Sequence, residues 1–222
     1  MNKLKCMFLC LGLAVSGFSA EVKDGFDGAD TAYAAEGSNI GAEWVNSDGS
    51  NVWKIVRGAL FVNTQSAPAI LYNKALKTES GDGEQFSLSA DIAGNLANTW
   101  AGLVFNYQDP ANYYAVRIKM NTADYQVLAI IDGATAMLLK GKSKANFIPG
   151  STYSVAVASD TVGVFDISIQ RAGRSDILNF NQIAQDFSAS LKSGYAGLYS
   201  ASASLADPDA VYDNFFLATT SK

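Results

Sequence analysis

The chain has 222 residues, 49% of them hydrophobic and 11% aromatic, with 16 basic and 21 acidic side chains and no histidine. That balance argues against a nucleic acid, which would want a basic face, and equally against anionic membranes or strongly anionic polysaccharides as targets.

Residues 1–20 have the layout of a secretory signal peptide: Lys3 and Lys5, then the apolar run MFLCLGLAV over 7–15, then the small-residue exit SGFSA. The apolar run is about half the roughly 20 residues that a membrane span needs. Cleavage is expected between Gly17 and Ala20, delivering a product to a periplasm or the cell exterior. No later apolar run is long enough for a transmembrane helix, so no membrane partner is expected after cleavage. Cys6 and Cys10 both lie in this segment. The mature chain over 21–222 then has no cysteine, 14 basic against 21 acidic residues and a net charge of −7. Without disulfides it must be held by core packing. About 200 residues suffice, since a chain of that size buries roughly 70% of its unfolded surface.

Residues 21–43 are polar and rich in Gly and Ala; they read as loop, with an edge strand near Gly25 and Phe26. Strands are predicted over 52–57, 59–63, 69–73, 85–92, 100–107, 112–119, 125–131, 136–139, 153–159, 162–170, 176–180, 196–200 and 211–219. Turn chemistry separates them at Asp48-Gly49, Gly81-Asp82-Gly83, Asp109-Pro110, Asp132-Gly133, Pro149-Gly150 and Ala172-Gly173. The segment 182–192 is ambiguous and could form a helical turn. Many short strands without a helix-length 3.6 period, repeat or linker predict one all-β domain, a sandwich or a barrel.

The hairpin AGLVFNYQDPANYYAVRI, residues 101–118, holds most of the unusual side chains. With Asp109-Pro110 as its turn, Tyr107 pairs with Asn112, Phe105 with Tyr114, and Leu103 with Val116. Strand alternation then puts Leu103, Phe105, Tyr114, Val116 and Ile118 on a core face. The opposite face takes Trp100, Gly102, Val104, Asn106, Tyr113, Ala115, Arg117 and Lys119. A one-residue slip would bury Arg117 and expose Phe105, which rules it out.

The order of three motifs resembles the concanavalin A-like (laminin G-like) jelly-roll domains. The stretch Trp53-Lys-Ile-Val-Arg-Gly-Ala-Leu-Phe61 is similar to their W-x-V-x-x-G-x-L opening. The hairpin is similar to their G-L-x-F-x-x-x-D-x-x-N-Y-Y-x-V-R. Gly194-Tyr-Ala-Gly-Leu-Tyr-Ser200 followed by Tyr212-Asp-Asn-Phe215 is similar to their ending. The resemblance implies a jelly-roll β-sandwich of two antiparallel sheets. It spans lectins, carbohydrate-binding modules, glycoside hydrolases and adhesion modules, so it speaks to fold more than to function. The glucanase triplet E-x-D-x-x-E is absent, and a chain without histidine cannot supply the Gln-x-His of the alginate-lyase branch. The resemblance is therefore to the non-catalytic members.

It further implies a sugar on the concave sheet, with Trp100 or Tyr113 as stacking platform and Asn106 and Arg117 bonding hydroxyls. Gly102, across from Arg117, would leave room for the ligand. In the plainer alternative, Arg117 pairs with Asp91 or Asp166, Trp100 caps the sandwich edge and Tyr113 lies against a loop. By the same resemblance, Asp27, Asp30 and Asp213 could hold a structural Ca2+ where the terminal strands meet, calcium wanting six to eight oxygens; otherwise they are turn formers and amide acceptors.

The leading expectation is an exported, lectin-like carbohydrate-binding module without catalysis. The first alternative is a glycoside hydrolase or lyase using an acidic pair such as Asp91 and Asp166. A serine nucleophile would need a lysine base, and no Ser-x-x-Lys occurs. The second alternative is a structural or adhesive envelope protein.

Overall fold

Alternating burial divides the chain into layers: Val164–Arg171, for example, sends Phe165, Ile167 and Ile169 inward and leaves the residues between them half-buried. The structure is a computed structural model that describes residues 20–28, 40–47, 52–63, 68–79, 85–95, 98–161, 164–172, 177–184, 191–202 and 210–220. Of the predicted signal segment 1–20, residues 1–19 lie outside them and Ala20 is described. The strands are β1 (Ala20–Asp24), β2 (Trp44–Asn46), β3 (Trp53–Ile55), β4 (Leu60–Val62), β5 (Ala69–Glu79), β6 (Gln85–Gly94), β7 (Trp100–Asp109), β8 (Asn112–Lys119), β9 (Asp124–Ile131), β10 (Ala134–Lys142), β11 (Thr152–Thr161), β12 (Val164–Arg171), β13 (Ile177–Ala184), β14 (Ser193–Ala201) and β15 (Ala210–Thr220).

They form two antiparallel sheets. One runs β13-β12-β11-β6-β15-β4-β3, with β1 also paired to β15; the other runs β10-β9-β8-β7-β14-β5-β2. This is the expected jelly-roll sandwich. Among the described residues, no helix is long and apolar enough to cross a membrane.

The core lies between the sheets. Phe86 of β6 and Phe165 of β12 meet Phe105 of β7 and Tyr114 of β8, with Phe105 and Phe165 edge to face at 4.9 Å and Phe105 and Tyr114 stacked at 5.3 Å. Each such aromatic pair adds about 0.5–1.5 kcal/mol beyond its burial. Leu103, Phe105, Tyr114, Val116 and Ile118 are all buried, as parity required.

The chain ends are stitched together. β1 pairs with the end of β15, Val22 opposite Leu217. Asp24 accepts Trp44 Nε1–H at 2.7 Å and the Phe26 amide at 2.7 Å, and Trp44 packs on Phe26 and Phe215. The leading strand thus precedes the predicted Gly25–Phe26 position; Phe26 is instead a buried turn residue at φ +50°. The three-residue strand β2 was not foreseen, being too short to show alternation. Of the ambiguous segment, 182–184 continues β13, and 185–190 lies outside the described residues.

Candidate functional site

The outer face of the seven-stranded sheet is ordered in rows, because residues opposite one another in register share a face. One row reads Ile70, Tyr199, Gly102, Arg117, Gln126, Lys140 across six strands. The next reads Val45, Tyr72, Gly197, Val104, Ala115, Leu128, Met137. Beyond the first row, Trp100 lies opposite Lys119.

At one end sits a cationic–aromatic corner. Gly102 offers no side chain to Arg117, so the guanidinium leans to the diagonal neighbour Trp100, its Cζ 4.4 Å from the ring centroid. Arg117 Nε and Nη2 donate to Gln126 Oε1 at 3.0 and 2.7 Å, and Nη1 donates to Tyr199 Oη at 2.6 Å. Lys119 Nζ stands 5.7 Å from the same indole. Trp100, Arg117 and Lys119 are each half-buried. Neither Asp91 nor Asp166 can pair with Arg117, because both belong to the other sheet.

At the other end is a ladder of tyrosines. Tyr72 stacks on Tyr195 at 5.3 Å and on Tyr107 at 4.7 Å, and Tyr107 meets Tyr113 at 6.0 Å. Tyr72 belongs to β5 and Tyr107 to β7, with β14 between them. The rings meet because Gly197 of β14, opposite Tyr72, has no side chain to stand between them. Burial raises the phenol of Tyr199, with Arg117 opposing; it raises Tyr72 and Tyr107 as well and pushes Tyr113 up to about 12. These phenols stay neutral in ordinary solution and leave the guanidinium charge uncompensated.

Of the four predicted ligand residues, the structure keeps three on one face and removes one. Asn106 is fully buried, at φ +48°, donating from Nδ2 to Leu191 O at 2.8 Å while its amide donates to Thr78 Oγ1 at 2.8 Å. The cause is a bulge. Phe105 opposes Tyr114 as expected, but the next pair is Asp109 with Asn112, not Tyr107 with Asn112. On its other side β7 sets Val104 opposite Gly197 and Tyr107 opposite Tyr195, one residue more than β14 has; that single residue reverses the parity, so Asn106 leaves the outer face and Tyr107 joins it. Tyr113 stays on that face but is 5% exposed, a support beneath the surface more than a platform upon it. Gly102 is also reassigned. A Cβ there would fall 2.0 Å from Val116 O and 2.8 Å from Arg117 Cα, so β8, not a ligand, takes the space. Sequence reasoning missed Tyr72, Tyr195 and Tyr199; the clue was Tyr72 and Tyr199 on predicted strands beyond the hairpin, with Tyr195 just before the second of them.

Similar solved structures include a CBM66 carbohydrate-binding module from Bacillus subtilis at 14% identity and TM-score 0.58, covering 79% of this chain and 95% of that one. The exoplasmic/lumenal domain of VIP36, in a Ca2+/Man2-bound form, matches at 10% identity and TM-score 0.54 over 89% of this chain and 86% of that one. A GH43 protein from Bacillus licheniformis matches at 14% identity and TM-score 0.57 over 90% of this chain, which spans 39% of that protein's length. The fold is the concanavalin A-like jelly roll. No protein-family model and no curated protein sequence matches the chain.

In this jelly roll the proposed acidic pair comes apart. On β11, Asp91 aligns with Ser154 and Asp166 with Ala158. Four residues along and two strands across place them about 16 Å apart, beyond the roughly 5–10 Å that glycoside hydrolysis uses. The carboxylate directly opposite Asp91 is Asp213 on β15. Burial raises the Asp91 carboxyl, with Asn214 and Ser154 opposing through hydrogen bonds. At the terminal junction, a Cβ on Gly25 would lie 3.0 Å from Asp27 Oδ2 and 3.9 Å from Asp213 Oδ1, so two of the predicted metal ligands do converge. Asp30 lies outside the described residues. Among the described residues no group of three or more His, Cys, Asp or Glu is placed to hold a metal ion.

Proposed function

We propose that this chain is an exported, non-catalytic carbohydrate-binding module whose ligand lies on the outer face of the seven-stranded sheet. The observation that carries it is the Trp100–Arg117 corner: a half-buried indole beside a guanidinium held in place by Gln126 and Tyr199. The apolar face of a pyranose stacks on an indole, and a fixed guanidinium bonds its hydroxyls. Tyr72 and Tyr195, half-buried on the same face, extend the surface for a longer chain. The fold shared with a carbohydrate-binding module and with a mannose-bound lumenal domain supports the same reading, and the layout of residues 1–20 supports export. Trp100→Ala is expected to weaken saccharide binding at least tenfold, as the loss of an anchoring aromatic does. An array of neutral and acidic glycans probed with both proteins tests this; silence across the array, or equal binding by the variant, removes the reading.

The second reading is hydrolysis, favoured by the raised carboxyl of Asp91 opposite Asp213. It requires product release from a polysaccharide that Asp91→Asn and Asp213→Asn each abolish; absence of release from any tested polysaccharide discards it.

A structural Ca2+ belongs to the proposal too. Asp27 and Asp213 supply hard carboxylate oxygens of the kind calcium takes, and backbone carbonyls would have to supply the balance. Millimolar Ca2+ is expected to raise the melting temperature and a chelator to lower it, as binding to the folded state alone demands. A melting curve indifferent to both rejects the metal.

A further inference from the structure

The Trp100 corner carries more positive charge than a neutral sugar requires. Register places Lys140 in the row of Arg117 and Gln126, and Lys142 opposite Asp124 at the next same-face step. Four cations thus share a patch about 10 Å across, from β8 to β10. The same register brings one carboxylate, Asp124, which Lys142 Nζ approaches to 3.9 Å. The ion pairs among the described residues do not include Arg117, Lys119 or Lys140. Yet the chain as a whole has a net charge of −5. A local excess on a body of opposite sign attracts a ligand that reaches only the patch, and it repels a polyanion that must lie along the whole protein.

Arg117 adds direction to this charge. It has five N–H donors. Gln126 and Tyr199 take three, through Nε, Nη2 and Nη1. One N–H on each terminal nitrogen is left for a ligand, with its plane set by the indole and by Gln126. Guanidinium N–H groups in fixed orientation suit carboxylate and sulfate oxygens better than a lone hydroxyl.

We propose that the saccharide bound at this corner is anionic. Its carboxylate or sulfate is held by Arg117 and Lys119, its ring lies against Trp100, and Lys140 meets the charge of the next sugar. The proposal rests on the carbohydrate-binding reading and revises the expectation, drawn from overall charge, that anionic polysaccharides are disfavoured.

The test is titration of the protein, by affinity electrophoresis and thermophoresis, with dextran, polygalacturonate and dextran sulfate, beside a DNA duplex and phosphatidylserine vesicles. The glycan array serves as the wider screen. An acidic polysaccharide is expected to bind at least tenfold more tightly than dextran, with affinity falling as salt rises from roughly 0.02 to 0.5 M. The better of polygalacturonate and dextran sulfate identifies the acid group. Lys119→Gln combined with Lys140→Gln is expected to weaken that binding by roughly threefold to tenfold with an unchanged melting curve. Lys140→Gln alone, at an exposed position, gives a smaller loss in the same direction. Binding confined to neutral glycans overturns the proposal and leaves the carbohydrate reading standing; silence across the array removes both. Equal affinity for DNA or vesicles, or no effect of the lysine substitutions, also overturns it.

Discussion

Asn106→Ala is expected to lower stability by about 2–5 kcal/mol and to leave saccharide affinity unchanged. Two costs combine. The carboxamide donates to Leu191 O at 2.8 Å from a fully buried position, and its removal strands that carbonyl, at about 1–3 kcal/mol. The backbone sits at φ +48°, where alanine is strained by about 1–2 kcal/mol and asparagine is tolerated. Asn106→Gly, at ease at positive φ, is therefore expected to lose about 1 kcal/mol less than Asn106→Ala. Urea unfolding of the three proteins measures both steps. Normal stability with lost glycan binding would return the carboxamide to the ligand site and make the bulge assignment untenable.

The second large effect is at Gly197. Alanine there is expected to cost about 1–3 kcal/mol, the usual penalty for forcing a methyl group into a filled space. Its Cβ would fall 2.1 Å from Leu71 O and 2.6 Å from Tyr72 Cα, both backbone atoms that cannot swing aside. Either β5 and β14 separate or Tyr72 shifts, and Tyr72 is the middle ring of the stack from Tyr195 to Tyr107. The near-ultraviolet circular dichroism of the tyrosines is expected to weaken along with the melting temperature. A variant with unchanged melting and an unchanged tyrosine signal contradicts the close approach of the two strands.

The local pattern was enough for much of the fold. The strand over 85–92 was readable because apolar and polar residues alternate cleanly, and those over 112–119 and 211–219 because apolar and aromatic residues dominate them. The core side of the hairpin followed from the same alternation: Phe105 and Tyr114 are too large and apolar to leave in water. Trp100 and Arg117 share a face for that reason as well. The misplacement of Asn106 has a definite cause. Parity arguments assume one residue per step, and nothing in NYQDPAN marks a bulge two residues before its expected turn. The bulge is held by Thr78 Oγ1 and Leu191 O, from segments distant in sequence.

By itself, then, the sequence determined the all-β class of fold and which side of the regular part of the 100–119 hairpin faces the core, because burial of apolar surface acts on every residue alike. Only the tertiary structure decided which strands became neighbours, and with that the functional detail. Tyr199 and Gln126 reach Arg117, and Tyr72 reaches Tyr107 across Gly197, from strands remote in sequence. Asp91 and Asp166 part for the same reason. Such contacts depend on long-range register, which no local periodicity encodes.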